Sequence, residues 1–203
     1  MSVKRLLIAR HGETDYNQKG LLQGRSIDAP LNETGWIQAG KLSDYLTNYP
    51  ADHLYSSSLQ RTWQTAKPYS QKLKLETLQE KGLDEMDFGK YEGIPYLDAS
   101  ADLKELQEIW QSGDVNTPIP GGESPVEVFE RANSVFHQVI ESTREDTLVF
   151  ILHGRLIRIL LSKWLGYGLK NMHKIEHQNG AINHLVYDGE FRAVYLNKTD
   201  HLK

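Results

Sequence analysis

Two apolar runs, residues 6–9 and 148–152, each lead into a His-Gly pair: Arg10 separates the first from His11-Gly12, and His153-Gly154 follows the second directly. Short apolar runs ended by a glycine turn read as strands buried on both faces. Such strands need helices on both sides, which constrains the chain to an α/β sheet. In a parallel sheet the strand C-termini share one edge, and ligands of open α/β folds bind in the crevice outside that edge. The two histidines are therefore expected at a single site.

The remaining chain alternates helix and strand patterns, without internal repeats. Residues 34–46 carry apolar or small side chains at Ile37, Ala39, Leu42, Tyr45 and Leu46, with Asn32 as the expected cap. Residues 53–56 form a second short strand, and residues 59–73 a helix that Pro68 should bend or shorten. Residues 79–123 hold Gly82, Gly89, Gly93, Pro95, Gly113, Pro118, Pro120, Gly121 and Gly122 around one helical stretch, 98–111. That density of turn residues reads as a lid-like insertion. Ser124-Pro125-Val126-Glu127 opens the next helix with a cap, a first-turn proline and a capping-box acid, and the helix runs to about residue 142. A helix over 156–165 and a hairpin, 181–187 and 191–196 joined through Asp188-Gly189, close the chain. The order predicts an α/β fold with a mainly parallel sheet and an antiparallel strand or two at one edge.

Length and charge bound the partners. The 203 residues suit one domain that buries roughly 70% of its unfolded surface. With no cysteine, a disulfide framework, a thiolate nucleophile and a Cys-based zinc site are excluded, and a reducing compartment is compatible. The first apolar run is too short for a signal peptide, and no stretch approaches the ~20 apolar residues of a membrane span. The expectation is a cytoplasmic protein without a membrane or nucleic-acid partner, since the net charge is −4. Oligomeric state is open, a homodimer being the commonest oligomer.

Histidines and arginines at one sheet edge suit a phosphate ester. Arg10 flanks His11, and Arg61 opens the helix after the second strand. Guanidinium groups pair with phosphate oxygens through forked hydrogen bonds. Neutral imidazole, of unperturbed pKa about 6.5, can take a phosphoryl group and surrender it to water. Charge sits on the equatorial oxygens, where fixed cations stabilise the transition state without a metal. Glu85, in the turn-rich segment, is the candidate to protonate the leaving alkoxide.

Arg10-His11-Gly12-Glu13-Thr14 followed by Asn17 resembles the signature of the histidine phosphatase superfamily, in its phosphoglycerate-mutase-like branch. The similarity continues in Leu22-Gln23-Gly24, in the serines and Arg61-Thr62 of residues 55–62, in Glu85, in Pro120 to Ser124 and in His153-Gly154. The resemblance implies a three-layer α/β/α sandwich that needs no cofactor or metal. It makes His11 the nucleophile, Arg10, Arg61 and a cationic His153 the phosphate pocket, and Glu85 the proton donor. Asn17, Gln23, Gly24 and Gly154 would contact the phosphoryl group or substrate. Glu13 and Thr14 would hold the loop, and residues 120–124 would serve loop geometry and capping. The family often places glycine or another small or apolar residue where this chain has Arg155, whose side chain is expected in solvent.

Mutases of the family carry basic residues just after the donor glutamate, whereas Met86, Asp87 and Phe88 stand there in this chain. The sequence therefore resembles the phosphatases, including the alpha-ribazole and broad-specificity types, acting on a small phosphorylated metabolite. A phosphoglycerate mutase and a non-catalytic phospho-ligand binder are the alternatives. His201, in the tail, is a specificity candidate. Met86, Phe88, Tyr91, Ile94, Tyr96, Leu103 and Trp110 suggest a modestly hydrophobic or uncharged leaving group. His173 and His177 would share a helix face but lack the glutamate and third ligand of a zinc motif.

Overall fold

The computed structural model describes residues 3–143 and 146–203. In chain order the elements are β1 (Lys4–Arg10), the short α1 (Asp15–Gln18), α2 (Glu33–Leu46), β2 (His53–Ser57), α3 (Gln60–Leu73), β3 (Thr77–Glu80), α4 (Ser100–Ser112), α5 (Pro125–Ser142), β4 (Thr147–Leu152), α6 (Gly154–Trp164), β5 (Ile182–Tyr187) and β6 (Phe191–Lys198). The sheet order is β3-β2-β4-β1-β5-β6. β1, β2, β3 and β4 are mutually parallel, while β5 runs antiparallel to β1 and β6 antiparallel to β5.

The apolar runs are buried for the reason their pattern gives. On β1, Leu6 and Ile8 join one core with Phe150, Phe136 and Leu160, from β4, α5 and α6. Leu7 and Ala9 face the other way and join Leu42, Leu54, Ala66, Tyr69 and Val149 in a second core beneath α2 and α3. Alternate side chains of one strand thus feed two helical layers, and the sheet is the middle layer of three.

Caps stand where the residue types predict. Asn32 accepts the Gly35 N–H at 2.9 Å, and Ser124 forms the capping box with Glu127. Pro68 does not shorten α3, which runs to Leu73. A proline deletes one backbone hydrogen bond, while Ala66 and Tyr69 around it stay packed on the sheet and Tyr69 bonds the Tyr49 carbonyl at 2.8 Å. The fourth parallel strand, β3, escapes the sequence reading because its residues are polar and half-exposed at a sheet edge. Its end takes residues 79 and 80 out of the turn-rich segment. Much of that segment is core rather than cover: Leu83, Met86, Tyr91 and Trp110 are buried in the larger cluster. No helix among the described residues is long and apolar enough to cross a membrane.

Two glycines allow the loop after β1 to lie on α2. A Cβ on Gly12 would stand 2.5 Å from the Gly35 carbonyl oxygen, and a Cβ on Gly35 would stand 2.1 Å from the Glu13 carbonyl oxygen. Ala is better than Gly in a helix by about 1 kcal/mol, but a backbone clash of this kind costs about 1–3 kcal/mol. Gly35→Ala is therefore expected to lower the urea midpoint; a raised midpoint would show that the two backbones can separate freely.

Candidate active site

β1 delivers His11 on a ledge that remains paired beyond the strand. The His11 N–H donates to the Leu152 carbonyl at 2.9 Å, and the Arg10 N–H to the Ala181 carbonyl at 3.0 Å. The His11 ring is buried with Nδ1 2.7 Å from the Gly12 carbonyl oxygen. A carbonyl can only accept, so Nδ1 carries the proton and Nε2 keeps its lone pair. The Asn179 amide steadies this geometry by donating to the carbonyls of His11 at 3.1 Å and Gly12 at 3.3 Å. Burial, helped by the charges of Arg61 and Arg10, holds the imidazole well below its usual pKa.

The cations come from two directions. Arg61 sits in the first turn of α3 and is fully buried. Its NH1 donates to the Ile27 carbonyl at 2.8 Å and its NH2 to the Gly24 carbonyl at 3.2 Å. A cation at a helix N-terminus opposes the macrodipole at a cost of about 0.3–1 kcal/mol, so position alone would not place it there. Arg10 reaches the His177 carbonyl at 2.8 Å and lies on Gly154, where a Cβ would come within 3.1 Å of its guanidinium carbon. Burial lowers both guanidinium groups to about 10, partly countered by Glu85, and both remain charged at neutral pH.

β4 delivers His153, whose ring centre is 5.3 Å from that of His11. Its Nδ1 accepts from Arg61 Nε at 3.2 Å, which leaves Nε2–H to donate to Ser57 Oγ at 2.7 Å. His153 is therefore neutral in this arrangement, not the cation implied by the resemblance. The causes are complete burial first and the adjacent Arg61 charge second, which hold its pKa well below the usual value.

Glu85 closes the site from the other side. Its Oε1 accepts the N–H groups of Met86 and Leu156, each at 2.9 Å, and its Oε2 accepts that of Arg155 at 3.0 Å. The last two are the free donors of the first turn of α6, whose N-cap His153 makes no capping bond of its own. Glu85 is held from behind by Arg131, which donates to the carbonyls of Gly82, Asp84 and Glu85 at 2.8–3.0 Å. Arg131 is fixed in turn by a forked pair with Glu123, at 2.7 and 2.9 Å. Residues 120–124 thus serve geometry and capping.

The remaining candidates divide. Gln23 is buried, accepts from Thr14 Oγ1 at 2.7 Å and has an Nε2 with no partner. Asn17 spends its Oδ1 on the Thr14 N–H at 3.2 Å and the Asn179 amide at 3.0 Å. Gly24 works through its backbone: its carbonyl holds Arg61, and a Cβ would strike the Glu92 carboxylate and the Met86 carbonyl. Gly154 makes room for Arg10.

Four expectations need correction. Arg155 is half-buried rather than in solvent, and its guanidinium feels the charges of Arg158 and Glu85. His201 does not face the site: it bonds the Gly180 carbonyl at 3.0 Å and packs on Tyr45, tying down the tail. Met86, Phe88, Tyr91 and Trp110 are buried in the core, so their apolar character says nothing of the leaving group. His173 and His177 share no helix face; His173 lies in a 3₁₀ turn, Leu169–Lys174, and the His177 ring bonds Asn183 at 2.6 Å. Sequence reasoning gave Ser57 no role of its own and missed Asn179 and Arg131, which act through contacts between distant segments.

The model of the histidine phosphatase superfamily (branch 1) matches residues 6–199. The chain belongs to that family. It is an enzyme of the phosphatase type. A Hydrogenobacter thermophilus protein, provisionally named as a second phosphoserine phosphatase, is 32% identical over 202 residues, which cover 99% of this chain and 98% of the relative. Phosphoserine phosphatase 1 of the same organism is 28% identical, with 98% and 94% covered. A solved Entamoeba histolytica phosphoserine phosphatase with 3-phosphoglyceric acid superposes with a TM-score of 0.87 at 25% identity, over 98% of this chain and all of that one. A mycobacterial glucosyl-3-phosphoglycerate phosphatase with vanadate gives 0.86 at 26%, over 97% and 100%.

Burial holds His11, His153, His177 and His184 below the usual imidazole value, His177 at about 3. In the unfolded chain these groups take up protons as pH falls through about 6.5, and in the folded chain they do not. The unfolded state binds more protons there, so stability present above pH 6.5 is lost below it, by up to about 1.4 kcal/mol per pH unit for each group. The urea midpoint should fall between pH 7.5 and pH 5. A flat profile would be incompatible with neutral, buried imidazoles.

Proposed function

We propose that the chain is a metal-independent phosphomonoesterase that hydrolyses a small phosphorylated metabolite through phosphohistidine at His11. The observation that carries this reading is the tautomer of His11. Its Nδ1–H is engaged by the Gly12 carbonyl, and its Nε2 lone pair lies among the charges of Arg10 and Arg61. Relatives named as phosphatases over nearly the whole chain support hydrolysis.

In this reading Nε2 attacks phosphorus in line, and the bond to the ester oxygen breaks. Arg10, Arg61 and the free Nε2 of Gln23 surround the equatorial oxygens, where the charge resides, and neutral His153 holds Arg61 in place through Nδ1. Glu85 gives a proton to the departing alkoxide. Its carboxylate then takes one from the water that attacks phosphohistidine, releasing phosphate and restoring His11. Burial and the charges of Arg61 and Arg10 lower the His11 pKa, which favours the free base that attacks through Nε2.

Hydrolysis of p-nitrophenyl phosphate in EDTA tests the proposal. His11→Ala should abolish activity, and acid-quenched wild type should carry phosphate on His11 by mass spectrometry. Release insensitive to His11→Ala, or wholly dependent on added metal, would overturn it. Glu85→Gln should lower kcat by about 10²–10⁴-fold for an alkyl phosphate. The loss should be much smaller for p-nitrophenyl phosphate, whose leaving group departs without a proton; equal losses would remove Glu85 as the acid.

A further inference from the structure

Arg155 and Arg158 are two cations that phosphate binding does not use. They lie three residues apart on α6 and so share a face. Both are half-buried, and neither guanidinium makes a hydrogen bond or ion pair among the described residues. Arg158 Nε is buried without any partner. The charge of Arg158 acts on Arg10 and His177, and Arg155 feels the charges of Arg158 and Glu85, so the two add positive charge beside Arg10 at the N-terminal end of α6. Arg155 also sits in the first turn of its helix, where the macrodipole disfavours a cation.

Their place relative to the reaction is what matters. Glu85 marks the side on which the ester oxygen leaves, and its Oε2 is bonded to the Arg155 N–H at 3.0 Å. In the proposed reaction, whatever is carried on that oxygen leaves on the side of the first turn of α6, which carries Arg155. Arg10 and Arg61 already match a phosphate dianion, so the charge of the α6 pair is left over. The segment after Glu85, with Met86, Asp87 and Phe88, offers no cation of its own.

Resting on the phosphomonoesterase reading, we infer that Arg155, backed by Arg158, is a second anion site for a carboxylate on the leaving group. The substrate class is a short phosphomonoester with a carboxylate a few bonds from the ester oxygen. A guanidinium fork suits a carboxylate, and a desolvated rim strengthens the pair.

The test uses two esters that differ only there, 3-phosphoglycerate and glycerol 3-phosphate, in which a hydroxymethyl group replaces the carboxylate. Wild type should favour the first in kcat/KM. Arg155→Ala should lower that preference by about 10–100-fold, the range for a hydrogen-bonded charge pair, and Arg155→Lys should restore part of it. Wild type without preference, or a preference unchanged in Arg155→Ala, would overturn the inference. Calorimetric binding of both esters to His11→Ala, with and without Arg155→Ala, reads the carboxylate site without turnover. A preference that vanishes with Arg155 there supports the site even if phosphoryl transfer fails; equal binding in all variants sinks it independently of the chemistry.

Discussion

The fully buried Arg61 is the interaction on which the rest of the site depends. A guanidinium out of water is costly unless its hydrogens are placed, and two separate segments place them. The carbonyls of Gly24 and Ile27 take two branches, and His153 Nδ1 takes the third. One side chain therefore ties the loop after α1 to the end of β4. The same contact dictates the protonation of His153, because a ring nitrogen that accepts from a guanidinium cannot also hold a proton.

Burial of charge also explains the electrostatic character of the site. Two guanidinium groups lie next to two imidazoles in a poorly solvated crevice, and both effects disfavour imidazolium. For the proposed attack by His11, an unprotonated imidazole is the useful outcome. The counter-charges are drawn back: Asp84 is occupied by Ser58, and Glu123 by Arg131. Glu85 is the acid whose charge reaches Arg10, Arg61 and Arg155 alike, while Asp28, Asp84 and Glu92 act on Arg61 as well. Glu85 is itself a structural element, since it caps α6. In the proposed mechanism proton donor and helix cap are one carboxyl, which couples the acid's position to the helix that carries Arg155 and Arg158.

Support for Glu85 comes from residues that touch no substrate. Arg131 reaches three carbonyls of the segment 82–85, and Glu123 orients Arg131 while accepting the Asp87 N–H at 2.9 Å. What reads in sequence as a turn-rich, lid-like insertion is anchored through this pair and through buried Met86 and Tyr91. Glycines in it serve close backbone approach, as where Gly89, at φ +50°, meets the Pro120 carbonyl.

Local signals were enough to determine much of this protein. The apolar runs specified β1 and β4, the His-Gly turns specified the edge at which chemistry occurs, and the residue types at Asn32, Ser124 and Glu127 specified the helix starts. These features are legible because each depends on neighbours a few residues away. The polar edge strand β3 was illegible, since its pairing with β2 comes from the sheet rather than from its own hydrophobicity. Tertiary structure alone decided the state of His153, through Arg61 ninety-two residues away, the direction of Arg155, through the packing of α6 against Glu85, and the anchoring role of Arg131. Charge and hydrogen bonding act through space, and a sequence lists the groups without the distances that decide which of them share a proton.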